Sequence, residues 1–199
     1  MTQTIVESIF KPNFNNVEDG IFIAENKGYW SNLNKEDNEK LVALAKQAGA
    51  RTAIQKMAPE FEQVIFSHKR AAGLELLELK GTERVVDYGC MWGALTIPLA
   101  KRCREAIGLD QTFNSLQLLK IRAQEEGLNN ITLLCANLKT MKELPLAADA
   151  AVINGVLEWI PDVTDIELKK FYGKFKRIEA QENPEKQQIS FLKKVANGL

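Results

Sequence analysis

Histidine and cysteine are scarce in this chain: among 199 residues there is one histidine, His68, and three cysteines. Cys90, Cys103 and Cys135 show no metal-ligand spacing, so no metal site is expected. Their odd number, with an amino terminus (MTQTIVESIF) that lacks a basic stretch, leads us to expect reduced thiols and a cytoplasmic setting. No apolar run approaches the roughly 20 residues needed to cross a bilayer, so no membrane partner is expected. Charge of either sign is not in excess: 26 Lys and Arg balance 26 Asp and Glu. A net charge of zero gives no global attraction to nucleic acid or to an anionic surface. Also missing are a Ser-His-Asp order, a G-x-S-x-G elbow, a G-x-x-x-x-G-K phosphate loop, internal repeats and low-complexity tracts.

What is present is enough for a globular core, with 45% hydrophobic residues. The length suggests one main domain with a small helical annex, which we divide as residues 1–58 (annex) and 59–199 (main domain). The stretch 84–93, RVVDYGCMWG, organises the main domain. Val85 and Val86 read as a strand buried on both faces, Asp87 sits at its end, and Gly89 and Gly93 bracket a tight turn. Residues 94–103 (ALTIPLAKRC) continue as an apolar helix, in which Pro98 lies one turn in and is expected to disturb the start. Strand, glycine loop and helix in that order are the nucleus of a doubly wound α/β domain, whose ligands lie at the carboxyl ends of the strands. The spacing is Asp-x-Gly-x-x-x-Gly, not the G-x-G-x-x-G of dinucleotide folds. A carboxylate before the loop repels a pyrophosphate but accepts hydrogen bonds from an ammonium group.

The remaining elements follow the same pattern. Residues 106–110 (AIGLD) form a second buried strand ending in Asp110, about 20 residues after the loop, where nucleotide folds place an acid on the ribose hydroxyls. Residues 112–126 form a helix with Thr112 as cap, Phe113, Leu116, Leu119 and Ala123 inward and Gly127 as stop. Residues 130–136 (NITLLCA) and 149–155 (DAAVING) are the third and fourth strands. Upstream, residues 34–49 make a helix capped by Asn34 and stopped by Gly49. A second helical pattern starts at Pro59 and places Phe61, Val64, Ile65, His68 and Ala72 on one stripe. For 1–32, two short strands and irregular structure both fit, and Tyr29 and Trp30 read as packing residues of the annex. Residues 164–177 mix Lys169, Lys170, Lys174, Lys176 and Arg177 with Phe171, Tyr172 and Phe175. RNA binding is one reading of that mixture, but Leu168, Phe171, Phe175 and Ile178 fit a packed helix face better. Residues 187–196 read as a last helix.

At Asp87, Gly89 and Gly93 the sequence resembles the class I S-adenosylmethionine-dependent methyltransferases, whose first motif runs D-x-G-x-G-x-G; it departs at Met91, where that family has glycine. The resemblance implies a Rossmann-like parallel sheet of order 3-2-1-4, truncated after the fourth strand. It implies S-adenosylmethionine as cofactor, held by Asp87, Gly89, Cys90, Met91, Gly93, Asp110, Gln111, Asn137, Leu138, Asn154 and Gly155. Asn137 stands where the family places an acid on the adenine amine, and an asparagine carbonyl accepts the same bond. The segment INGVLEWI resembles members associated with saccharide genes, which implies methyl transfer to a small molecule or saccharide and no nucleic-acid partner. Glu158 and His68 are the weak candidates for catalysis. The rival functions are a non-catalytic adenosyl-binding or assembly module and a nicotinamide-dependent oxidoreductase. A sheet ending at residues 150–154 would leave an open edge, so self-association or a missing C-terminal segment is expected there.

Overall fold

Val85, Val86, Ile107 and Leu109 are wholly removed from solvent, and the two strands that carry them form the centre of an eight-stranded sheet. The computed structural model describes residue 14, residues 16–26, 33–137 and 148–154, and the backbone of 175–182 and 187–194. Its strands are β1 (Asn16–Glu18), β2 (Ile21–Ile23), β3 (Arg84–Tyr88), β4 (Glu105–Asp110), β5 (Ile131–Cys135), β6 (Ala150–Asn154), β7 (Phe175–Glu182) and β8 (Gln187–Lys194). They lie in the order β1-β2-β5-β4-β3-β6-β8-β7. The parallel run β5-β4-β3-β6 is the expected 3-2-1-4 arrangement. Right-handed crossovers between buried parallel strands allow few other orders.

Helices cover the sheet because the strands are apolar on both faces. The helices are α1 (Lys35–Ala48), α2 (Ala50–Met57), α3 (Glu62–Phe66), α4 (His68–Ala72), α5 (Thr96–Ala100) and α6 (Phe113–Glu125). One core packs Leu74, Leu77, Leu95 and Leu99 with Val85, Ala106 and Val152. Another packs Leu116 and Leu119 of α6 with Ile21, Ile97 and Leu133. A third joins α1 and α2 to the main domain, burying Leu41, Ile54 and Ile65 with Trp92 and Leu118. Asn34 caps α1 by accepting the Asp37 N–H at 2.9 Å, and Gly49 ends it with φ 89°. Glu125 of α6 then accepts the Ala50 N–H at 2.8 Å and so holds the start of α2, a helix not anticipated from the sequence.

Several expectations are corrected. Residues 187–194 are strand, and so are 175–177, because β8 pairs antiparallel with β6 and β7 with β8. Short apolar runs fit both periods, and the deciding term is a long-range pairing that no local pattern records. The fourth strand therefore has a neighbour on each side, β3 and β8, and the open edge expected at 150–154 is absent. With β8 on that edge the sheet continues past the fourth strand, and self-association through this strand does not stand. The pattern beginning at Pro59 is broken into short pieces, since Ser67 is extended (φ −73°, ψ 133°) and caps α4 through the Lys69 N–H. Only Thr96–Ala100 of the helix expected at 94–103 is α-helical. Pro98 thereby falls in its first turn, where its missing N–H would have no intrahelical partner in any case.

At the amino end, β1 and β2 form a hairpin through Asp19 and Gly20, both at positive φ, as a two-residue turn of this hand requires. β2 pairs parallel with β5, so residues expected to belong to the annex extend the main sheet.

Candidate functional site

The glycine loop leaves β3 at Tyr88 and folds back over the end of β4. Gly89 and Cys90 both donate their N–H groups to the Leu109 carbonyl, at 2.8 and 3.0 Å. Met91 donates its N–H to Asp110 Oδ2 at 2.9 Å, and Thr112 donates to Asp110 Oδ1 at 2.9 Å. Asp110 thus ties the loop to the start of α6. Thr112 makes no side-chain capping bond; its hydroxyl turns to the same carboxylate. Gly89, Met91 and Gly93 all have positive φ (68°, 48° and 81°), the conformation that makes glycine the easy residue at each. At Gly93 the requirement is also steric, because a Cβ there would stand 2.1 Å from Leu119 Cδ1.

Two carboxylates face this loop from adjacent strand ends, and both are buried, Asp87 at 2% and Asp110 at 6% exposure. Burial pushes Asp87 up to about 7, the 2.6 Å hydrogen bond from Thr96 Oγ1 opposes the rise, and the charge of Asp110 adds to it. Asp110 is also raised by burial, against the N–H groups of Thr112, Met91 and Gln111. Burial pushes the Cys90 thiol well above its ordinary value and Cys135 up to about 12, so neither is a ready nucleophile.

Asn137 lies just beyond β5 at the same edge, 5% exposed, next to Ala136, whose N–H donates to the Asp110 carbonyl. Asn154 closes β6, one position past the pairing of Ile153 with Tyr88. Its Oδ1 is buried and is among the few such atoms of the described residues that have no hydrogen-bond partner. The expected residues Asp87, Gly89, Cys90, Met91, Gly93, Asp110, Gln111, Asn137 and Asn154 therefore gather along one sheet edge. Leu138, Gly155, Glu158, Tyr29 and Trp30 lie outside the described residues. His68 opens α4 on the surface and has no link to this edge among the hydrogen bonds of the described residues. No group of three or more His, Cys, Asp or Glu among the described residues could hold a metal ion.

Four participants were not singled out from the sequence. Thr96 is the polar residue in an otherwise apolar helix start, and it supports Asp87. Trp92 is fully buried against Phe61, ring centroids 5.3 Å apart. Arg122, buried on α6, donates to the Trp92 carbonyl and, at 3.4 Å, to that of Ile65; its guanidinium lies 4.7 Å from the Phe66 ring centre. Burial lowers Arg122 to about 10, which leaves it charged at neutral pH. Glu25 follows β2 and meets Asn137. Met91, which stands where the resembling family has glycine, packs against the cluster containing Trp92 and the helices of the annex.

Residues 85–178 match the family described as a methyltransferase domain. An uncharacterised RNA methyltransferase of a Nostoc species is 37% identical over 71 residues, which are 34% of this chain and 15% of that protein. A 23S rRNA (uracil(1939)-C(5))-methyltransferase of Legionella pneumophila is 30% identical over 71 residues, 36% of this chain and 16% of that one. The match thus spans about a sixth of these relatives. In fold, the chain resembles the crystal structure of an rRNA methylase from Escherichia coli, with TM-score 0.50 and 12% identity over 82% of this chain and 78% of that one. With the 3-2-1-4 parallel run and the loop from Asp87 to Gly93, the match over residues 85–178 makes this part of the chain a methyltransferase domain similar to the class I S-adenosylmethionine-dependent methyltransferases.

Proposed function

We propose that the chain binds S-adenosylmethionine along the carboxyl edge of β6, β3, β4 and β5 and directs its methyl group to an acceptor. The observation that carries this is the pair of buried carboxylates, Asp87 and Asp110, on either side of a left-handed glycine loop. The residues fit the ligand. Asp110 is the acceptor placed for a ribose diol, which would share the carboxylate with the Met91 and Thr112 N–H groups and the Thr112 hydroxyl. Asp87 and the orphaned Asn154 Oδ1 offer acceptors for an ammonium group. Asn137 stands beyond Asp110 on the side of the base. The helices α1 and α2 serve as the annex that packs on the loop, while β1 and β2 join the main sheet of the cofactor domain.

The bound cofactor supplies a methyl group on a sulfonium, so the leaving group is a neutral thioether. The protein therefore needs no acid for departure; its contribution is to hold donor and acceptor in line and to exclude water. Buried, raised carboxylates suit this, since the cationic ligand itself stabilises their charged form.

We favour a small-molecule acceptor, on the net charge of zero and the absence of the basic excess that phosphate contacts need. A nucleic-acid acceptor is the second reading, supported by the names of the two curated relatives, both RNA methyltransferases. Free, buried Cys90, Cys103 and Cys135 suit a reducing, cytoplasmic setting. Thermal shift with S-adenosylmethionine, S-adenosylhomocysteine and NAD tests the core of the proposal. Stabilisation of roughly 2.7 kcal/mol at 100 times the dissociation constant is expected with the adenosyl ligands. A larger response to NAD would overturn it. Label transfer from methyl-tritiated cofactor to total RNA or to a small-molecule extract then separates the two acceptor classes, and transfer to neither leaves a binding module.

A further inference from the structure

We propose that Glu25 reads the base of the adenosyl ligand, discriminating a 6-amino from a 6-oxo purine; the inference rests on the adenosyl-binding reading above. Strand direction brings Glu25 to the ligand side. β2 runs parallel to β5, with Ile23 opposite Cys135, so residues 24–26 leave the sheet at the same edge as Asn137, where such folds bind their ligands. An antiparallel pairing would have sent them to the far edge.

The segment is fastened there from both sides. Ala24 and Glu25 donate their N–H groups to the Cys135 carbonyl at 2.9 and 3.3 Å, and the Cys135 thiol donates to the Glu25 carbonyl at 3.3 Å. Asn26 Oδ1 accepts the N–H of Phe113, the first residue of α6, at 3.3 Å. The Glu25 side chain turns to Asn137, whose Nδ2 donates to its Oε1 at 3.5 Å. The charges of Asp110 and Glu25 both raise the Cys135 thiol, after burial, which contributes most. Asp110 pairs with Cys135, and Cys135 with Ile23, so the end of β4 that carries Asp110 and the end of β2 that leads into Glu25 stand about two strand spacings apart, roughly 10 Å. That separation is of the order of the reach of adenosine from its ribose hydroxyls to its exocyclic amine.

The chemistry then selects the base. A carboxylate is acceptor-only when ionised, so it pairs with the amino group of adenine and repels the carbonyl oxygen of hypoxanthine. Asn137 alone does not discriminate, because an amide presents both a donor and an acceptor.

Titration calorimetry of the full chain with S-adenosylhomocysteine and with its 6-oxo counterpart tests this. Wild type should prefer the adenine ligand by about tenfold or more, the scale of one charge-assisted hydrogen bond. Glu25→Ala and Glu25→Gln should both bring that preference below about threefold while circular dichroism stays unchanged, since the backbone, not the side chain, fastens the segment. Full preference retained in either folded variant would overturn the assignment alone. No binding of S-adenosylhomocysteine by wild type would overturn the cofactor reading, and this inference with it.

Discussion

Thr96 Oγ1 donates a 2.6 Å hydrogen bond to Asp87 Oδ2, both groups shut away from water at the junction of β3 and α5. It is a partial compensation: burial still pushes the Asp87 carboxyl from 3.8 up to about 7. In the unfolded chain that carboxyl ionises first, so between about pH 4 and 7 the unfolded state loses its proton while the folded state keeps it. The ligand-free protein should therefore lose stability as pH rises through this window and level off above it. A tenfold change in proton affinity corresponds to about 1.36 kcal/mol, so the effect is on the order of a few kcal/mol. Asp87→Asn keeps an acceptor for Thr96 and should remove this component. Urea denaturation at pH 5 and pH 8 is the check: the variant should gain stability over wild type at pH 8 but not at pH 5.

The same carboxylate links cofactor binding to protons. An ammonium group favours ionised Asp87, so binding below about pH 7 must release a proton, and affinity should climb up to tenfold per pH unit until Asp87 is ionised. Calorimetry with S-adenosylhomocysteine at pH 6, in two buffers of different ionisation heat, measures the protons released. Near-zero release would show that Asp87 stays protonated in the complex.

Asp110 is both part of the proposed ligand site and a fastener, because its carboxylate holds the N–H groups of Met91 and Thr112. Asp110→Ala leaves both donors without this partner and should cost about 1–3 kcal/mol of stability as well as weakening cofactor binding. Asp110→Asn retains one acceptor oxygen and should fall between. Chemical denaturation paired with calorimetry separates the two effects; loss of affinity without loss of stability would place the loop's support elsewhere.

How much of this was legible beforehand depended on range in the chain. Asp87, Gly89 and Gly93 could be placed because a tight turn beside a buried strand demands those residue types locally. Asn34 and Gly49 were equally readable as caps. The order of β5, β4, β3 and β6 followed from the resemblance to the methyltransferases, with right-handed crossovers in that arrangement. What could not be read depends on partners distant in sequence. Residues 187–194 become strand only because β6 offers an edge. Trp92 and Arg122 read as a loop residue and a surface cation until α6, the annex and the loop are brought together. Glu25 reads as one acid among many until β2 docks parallel to β5.

Met91 occupies a left-handed position, φ 48°, with its side chain in the apolar cluster of the annex. Met91→Gly relieves a backbone cost of about 1–2 kcal/mol and loses a comparable amount of half-buried contact, so stability should change by less than about 1 kcal/mol. Met91→Val, β-branched at positive φ, should be clearly worse. Cofactor affinity should be unchanged in Met91→Gly, because the side chain is spent on the annex. A gain in affinity by calorimetry would mean that the methionine crowds the ligand after all.

Gly93 is the least replaceable residue of the loop, for two separable reasons. Its φ is 81°, which costs an L side chain about 1–2 kcal/mol, and an added Cβ would meet Leu119 Cδ1 at 2.1 Å. Leu119 is fully buried in α6 among Ile97, Leu116 and Leu133, so its side chain cannot swing aside without opening the core. Overpacking of this kind adds about 1–3 kcal/mol. Gly93→Ala should therefore lose about 2–5 kcal/mol, a large part of the stability of a single domain. Leu119→Ala removes the colliding methyl groups at the expense of a cavity, typically about 2–5 kcal/mol on its own. If collision dominates, the double variant should be little worse than Leu119→Ala alone, with a coupling of about 1–3 kcal/mol in the denaturation cycle. If backbone strain dominates, the two losses should simply add. The cycle thus decides whether the loop needs glycine at 93 for its conformation or for the close approach of α6.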